Sequence, residues 1–126
     1  MKILSFATLL FVLIATGVPT QQRDPCKGET TPEMKMCAAK RYKQADDELN
    51  KVYRELMSKL DDEGHSTSLK TAQQTWLKYR DGHCEFVSYL NRGGTIYSVV
   101  LTECMTSLTS SRTKELKEQI TNLDQP

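Results

Sequence analysis

The chain has 126 residues and an almost balanced charge, with 17 lysine and arginine residues against 16 aspartate and glutamate residues. A net charge of +1 lacks the basic excess by which nucleic-acid-binding domains are recognised. We therefore expect no nucleic acid partner. The length suits one small domain rather than two.

The first 20 residues predict a signal peptide. A short basic start, Met1-Lys2, precedes an almost entirely apolar run from Ile3 to Ala15. About 13 apolar residues suit the core of a secretory signal and fall short of the roughly 20 that a membrane-spanning helix needs. We expect a single domain over residues 21–126, a secreted or periplasmic location, and no stable membrane insertion after cleavage. The cleavage site stays open between Gly17 and Gln21.

All four cysteines follow the predicted signal peptide. They are Cys26, Cys37, Cys84 and Cys104. An even number of cysteines in a small exported domain predicts two disulfides. A zinc site or a redox centre would favour a closely spaced pair such as Cys-x-x-Cys, and the sequence has none.

The first predicted helix covers residues 32–61. Thr30 and Glu33 match a capping box, and Thr31 is an alternative cap with Pro32 at the first helical position. Gly64 is the expected stop after this helix. The predicted inward residues are Ala38, Tyr42, Ala45, Leu49, Val52, Tyr53, Leu56 and Leu60.

The second predicted helix covers residues 67–90, with caps supplied by residues 66–68. Gly82 inside it costs roughly 1 kcal/mol relative to alanine, so we expect a neighbouring backbone to approach closely there. Apolar and aromatic residues recur in steps of three and four and predict the packed seam of the helix. The predicted seam consists of Leu69, Ala72, Trp76, Tyr79, His83, Phe86 and Leu90.

After a glycine-containing turn, the third predicted helix covers residues 97–123. Its expected inward residues are Leu101, Cys104, Met105, Leu108, Leu116, Ile120 and Leu123. Short connections make consecutive helices antiparallel neighbours. The predicted fold is all-α, a small antiparallel three-helix bundle stapled by two disulfides. Matching levels along the helices favours Cys84–Cys104 and leaves Cys26–Cys37, although the crossed pairings remain open.

A polar network is predicted between the helices. Asp46 and Asn50 lie level with Arg80 when helix two folds back on helix one, so we expect Asp46 to pair with the Arg80 guanidinium and Asn50 to form a hydrogen bond with it. Arg112 lies level with Trp76, on which it could stack. We interpret these five residues as structural. His83 beside Cys84 would act as a nucleophilic pair only with a free thiol. We therefore predict no catalytic, cofactor-binding or metal-binding residues, no cofactor, and a protein that is not an enzyme.

The turn between helices two and three is the predicted partner-binding surface. It contains Arg92, Gly93, Gly94 and Tyr97, which combine a charge, flexible backbone and an aromatic ring. Rigid helices that present such a loop are a common design for binding. The competing interpretation is an ordinary connector.

Several motifs together resemble the lysozyme inhibitor LprI-like family, formerly a domain of unknown function in exported bacterial proteins. The most specific is Ala-Gln-x-x-Trp-x-x-x-Arg-Asp-x-x-Cys, from Ala72 to Cys84. The other matching segments are residues 26–37, 45–53 and 93–96, with Cys104, Thr109, Arg112 and Leu116. The resemblance covers nearly the whole mature chain and implies a helical, disulfide-bonded domain of the bacterial envelope.

The resemblance also implies a function. The family takes its name from a lipoprotein member that inhibits lysozyme, although Asp24-Pro25 before Cys26 differ from a lipid-attachment motif. Our leading hypothesis is an exported binding protein that inhibits lysozyme by occluding its substrate cleft. The alternative is a non-enzymatic envelope adaptor or stress protein whose partner is another bacterial envelope protein.

Overall fold

The computed structural model describes residues 24–125, so the predicted signal peptide, residues 1–20, lies outside the described residues. A 3₁₀ turn at Pro25–Lys27 leads to α1 (Thr31–Ser58), α2 (Glu63–Ser88), a second 3₁₀ turn at Tyr89–Asn91, and α3 (Tyr97–Leu123). Residues 24–125 contain no strand, and none of their helices is long and apolar enough to cross a membrane.

Contacts between the helices define an up-down-up bundle. Arg41 on α1 bonds Glu103 on α3, and further along both helices Glu48 bonds Lys117, so α1 and α3 run parallel. The pairing of α2 with α3 runs the other way, because Cys84 joins Cys104 whereas the earlier Gln73 meets the later Arg112. The predicted all-α three-helix bundle with two disulfides is confirmed.

The helix starts follow their capping residues, with one correction. Thr30 caps α1 through a capping box with Glu33, one of the two predicted caps. The second helix begins earlier than predicted, because the Asp62 carboxylate accepts a 2.7 Å bond from the His65 amide. Gly64 therefore lies in the first turn of α2 and does not stop the first helix.

The main hydrophobic core lies where the later parts of α1 and α3 meet the first half of α2. We call this region the hydrophobic end. Its buried residues are Leu49, Val52, Leu56, Leu116 and Ile120, with Tyr53, Leu60, Leu69 and Trp76 packed around them. Most of the inward residues predicted on α1 belong to this cluster. Leu123, predicted inward on α3, is 45% exposed.

The opposite end carries both disulfides. Cys26–Cys37 ties residues 24–30, which we call the lead-in, to α1. Cys84–Cys104 ties the end of α2 to the start of α3. We call this region the disulfide end. Its tightly buried positions are small or polar, since Ala38, Cys84 and Ser88 are at most 1% exposed.

The predicted seam of α2 is wrong at Ala72 and over most of the second half of the helix. Leu69 and Trp76 do pack on the core, but Ala72 is exposed, and Tyr79, Phe86 and Leu90 are 55%, 78% and 94% exposed. The cause is the disulfide: Cys84 must face α3, and at 100° per residue Phe86 lies about 200° away around the helix. The residues buried on α2 are Gln73, Arg80, Cys84 and Ser88.

Candidate functional site: the exposed surface at the disulfide end

Arg80 is the most deeply placed charge of the described chain, only 6% exposed. Its guanidinium bonds the neighbouring Asp81 carboxylate at 2.9 Å and donates to the Thr109 hydroxyl at 3.3 Å. The Asp46 carboxylate lies 3.8 Å from Arg80 Nη1, which is an ion pair but too long for a hydrogen bond. A buried guanidinium needs such partners.

Two aromatic rings complete the surroundings of Arg80. The guanidinium carbon lies 5.4 Å from the Trp76 ring centre and 5.6 Å from that of Tyr42, within the range of cation–π attraction. Burial raises the pKa of the Tyr42 hydroxyl, and the positive charge of Arg80 opposes this rise. Sequence reasoning missed Tyr42, Asp81 and Thr109 as partners of Arg80.

Arg112 approaches the same tryptophan, with its guanidinium carbon 5.9 Å from the Trp76 ring centre. It also donates to the side-chain oxygen of Gln73 at 3.1 Å and pairs with Glu115 at 2.8 Å. Trp76 thus contacts two guanidinium groups.

Asn50 was expected to bond Arg80, and that expectation is wrong. Its side-chain amide donates instead to Asp46 Oδ2 at 3.0 Å, one turn earlier on α1. The reason is helical spacing, since residues four apart lie side by side on one helix face. Asn50 therefore orients the carboxylate that faces Arg80.

The turn after α2 is held by a shared carboxylate. Arg92 Nη2 and the Tyr97 hydroxyl each donate to Glu85 Oε2 at 2.9 Å. The Arg92 guanidinium also lies 4.8 Å from the Tyr89 ring centre. The bond from Arg92, and then that from Tyr97, lowers the pKa of Glu85 below its usual 4.5. Sequence reasoning missed Glu85, which joins two of the predicted contact residues.

The glycines of this turn have separate backbone roles. Gly93 has φ of 78°, a left-handed conformation that glycine adopts without a steric penalty. The Gly94 amide donates to the Asn91 carbonyl at 3.0 Å, and a Cβ at Gly94 would lie 3.1 Å from that oxygen. The predicted partner-binding turn is therefore a defined structure with exposed Arg92, Gly93 and Gly94 and half-buried Tyr97.

Beside the turn lies an exposed apolar surface that includes two residues, Phe86 and Leu90, which the sequence predicted in the seam of α2. It consists of Phe86, Val87, Tyr89 and Leu90, which are 78%, 45%, 59% and 94% exposed. We call these four residues the apolar patch. The signal that could have found it is the favoured Cys84–Cys104 pairing, which turns residues near Phe86 away from α3.

The chemistry of the described residues is limited in two respects. All four cysteines are in disulfides, so His83 has no thiol beside it. Residues 24–125 contain no cluster of three or more histidine, cysteine, aspartate or glutamate side chains that could hold a metal ion. What the exposed end offers is a surface for contact: an apolar patch, an arginine paired with Glu85, and a hydrogen-bonded turn.

Comparison with known proteins assigns the family. A profile of the lysozyme inhibitor LprI family matches residues 23–116. The chain belongs to this family. The family resemblance of the sequence motifs is thereby confirmed, and the match takes in the disulfide end together with most of α3.

Two individual proteins are similar to this member of the family. Uncharacterized protein R02472 from Rhizobium meliloti (strain 1021) is 34% identical over 128 residues, covering 89% of this chain and 92% of the relative. The crystal structure of a DUF1311 family protein from Pseudomonas putida KT2440 superimposes with a TM-score of 0.69 at 23% identity. The superposition covers 78% of this chain and 98% of the Pseudomonas chain. The two proteins share a fold.

Proposed function

We propose that this chain is an exported, non-enzymatic binding protein that inhibits a lysozyme by covering its substrate cleft. The observation that carries the proposal is membership of the lysozyme inhibitor LprI family. Two disulfides in a small domain support export, because such bonds form and persist in oxidising compartments outside the cytosol.

We place the contact with the target at the turn that contains Arg92, Gly93, Gly94 and Tyr97. Lysozyme cleaves its substrate between two carboxyl groups, and a guanidinium is well suited to bind carboxylates. Arg92 is exposed and is held in place by Glu85 and Tyr89. A side chain that is already ordered loses less conformational entropy on binding, so this turn is a suitable anchor for an acidic cleft.

The test is a cell-wall lysis assay with purified, oxidised protein and several types of lysozyme. We expect lysis to slow in proportion to the inhibitor added. Arg92→Ala should weaken binding about tenfold, equivalent to about 1.4 kcal/mol, as expected for an interface anchor. The matched control is Arg54→Ala, which removes an exposed arginine from α1 and should leave inhibition unchanged.

Two results would contradict this proposal. No slowing of any lysozyme at large molar excess would exclude inhibition as the function, and capture of a different bacterial envelope protein would then favour the adaptor hypothesis. Equal effects of Arg92→Ala and Arg54→Ala would place the contact surface elsewhere on the molecule.

A further inference from the structure

One face of α2 is exposed and carries no Asp, Glu, Lys or Arg over most of its length. It continues into the 3₁₀ turn and includes half of the apolar patch. Its residues, spaced three or four apart, are Ala72, Thr75, Tyr79, Gly82, Phe86 and Leu90, and all six are exposed. We call them the α2 stripe. Spacing of this kind is the pattern by which one helix packs against another, yet within the described residues no helix covers this face.

The exposed area is large for a chain of this size. If an aromatic side chain carries about 150–250 Å², the exposed fractions of Tyr79, Phe86 and Tyr89 leave roughly 300–500 Å² of surface. Leu90 is 94% exposed, and Val87 and Ile96 are each 45% exposed. Tyr79, Phe86 and Leu90 belong to the stripe, whereas Tyr89, Val87 and Ile96 flank it. An interface centred on the stripe therefore approaches the roughly 800 Å² that each partner contributes to a standard protein interface when it also takes in these flanking residues.

Gly82 gives a second, independent indication. A glycine inside a helix destabilises it by about 1 kcal/mol relative to alanine, and close approach of another backbone is a common reason for its presence. A Cβ added at Gly82 would meet nothing within 4 Å. The prediction that a neighbouring backbone of the same chain approaches Gly82 is therefore wrong for the described residues. Gly82 lies at the middle of the α2 stripe.

We propose that the α2 stripe binds a second copy of this chain, with the two α2 helices antiparallel and crossing at Gly82. Residues at similar distances before and after the crossing then meet, so that Tyr79, three residues before Gly82, lies within one residue of the level of Phe86, four residues after it, in the other copy. The absence of a side chain at Gly82 lets the two backbones approach. Such an interface is self-complementary, as the two-fold symmetry of most homodimers requires.

Charges beside the stripe favour the same arrangement. Lys78 and Glu85 lie on one flank of the stripe, about 20° apart at 100° per residue. In an antiparallel pair, equal flanks face each other, so Lys78 of each copy lies close to Glu85 of the other. The Glu85 carboxylate already accepts bonds from Arg92 and Tyr97, and its roughly four acceptor positions accommodate a further donor. A net charge of +1 per chain adds little repulsion.

The test is the mass in solution of the oxidised protein, expressed from the full-length sequence and measured by sedimentation equilibrium. Concentrations up to about 100 µM are used, because interfaces of standard size have dissociation constants in the µM range or below. We expect a reversible dimer. Phe86→Glu combined with Leu90→Glu should give a monomer with an unchanged helical spectrum. The control Met36→Glu places the same charge at a 56% exposed apolar position on α1 and should leave the dimer intact.

Gly82→Leu distinguishes the proposed specific contact from non-specific hydrophobic association. The added side chain enlarges the apolar surface, so non-specific association would become stronger. In the proposed dimer it separates the two helices, and the dissociation constant should rise about tenfold or more, the effect of losing about 1.4 kcal/mol. Its folded monomer should survive, because the position is open in the single chain.

Three outcomes would overturn the dimer. They are a monomeric wild type at the highest concentration, a dimer that persists in the double glutamate variant, and tighter association of Gly82→Leu. A monomeric wild type whose inhibition of lysozyme falls with Phe86→Glu would instead assign the stripe to the target. The mass measurement needs no lysozyme, so it stands even where the inhibitor proposal fails.

Discussion

The two ends of this bundle are held together by different forces. The hydrophobic end buries leucine, valine and isoleucine side chains from α1 and α3, including Leu49 and Leu116 at 1% and 2% exposure. The disulfide end buries small and polar groups around Cys84 and leaves Phe86 and Leu90 outside. The difference teaches that a covalent link allows a region to direct its large apolar side chains toward solvent, where they are available for binding.

The largest expected effect of the substitutions below is at the hydrophobic end. Leu49→Ala should destabilise the fold by about 2–5 kcal/mol, because it removes buried methyl groups and leaves a cavity. The matched change at the other end is Phe86→Ala, which should alter stability by no more than about 0.5 kcal/mol. Urea denaturation at a protein concentration low enough to keep the chain monomeric measures both. Equal losses would place Phe86 in a core and erase the contrast between the ends.

The next effect is the loss of the disulfide between α2 and α3. Replacing both Cys84 and Cys104 by alanine opens a link across 20 residues and should cost about 3 kcal/mol. The same change at Cys26 and Cys37, which are 11 residues apart, should cost somewhat less, because the closed loop is shorter. Thermal melts of the two double variants check this order. A larger loss from the pair nearer the N-terminus would show that the lead-in, rather than the contact between α2 and α3, holds the disulfide end.

The smallest effect concerns the turn. The pKa of Glu85 is lowered in the folded chain by its bonds from Arg92 and Tyr97. Because its pKa is lower in the folded chain, Glu85 stabilises the fold at pH values above its unfolded pKa, near 4.5. That stabilisation is lost as the pH falls through the folded pKa. Glu85→Gln should therefore melt at a lower temperature than wild type at pH 7, with the difference shrinking below pH 4.5.

The control for this pH experiment is Glu118→Gln, at an exposed position of α3. It should follow the wild-type melting curve across the whole pH range. If Glu85→Gln also follows the wild type, the shared carboxylate does not hold the turn. The rigid presentation of Arg92 that the inhibitor proposal uses would then lose its basis.

Much of the bundle could be predicted because its signals are local or covalent. The capping pair Thr30 and Glu33 marks the start of α1, and apolar spacing along α1 identifies Leu49, Val52 and Leu56 as core residues. The start of α2 was misjudged because several polar residues compete as caps between residues 61 and 68. Only the folded chain shows that Asp62 reaches the His65 amide.

The surface at the disulfide end was harder to predict. Arg92 and Tyr97 are candidates by residue type and position in a turn, but their shared partner Glu85 precedes them by seven and twelve residues. Partners joined by tertiary packing leave no fixed spacing in a sequence. The same holds for Thr109 beneath Arg80, a contact between residues 29 positions apart.

The amino-acid sequence by itself determined three amphipathic helices, an even set of cysteines and the motifs of the family. These follow from helical periodicity and from residue types, which are properties of the chain alone. Which face of α2 points inward was decided only by the tertiary structure. A more apolar face and a more polar face compete on that helix, and the link from Cys84 to Cys104 selects the polar face with Arg80 and Ser88. The other face, with Phe86 and Leu90, remains exposed.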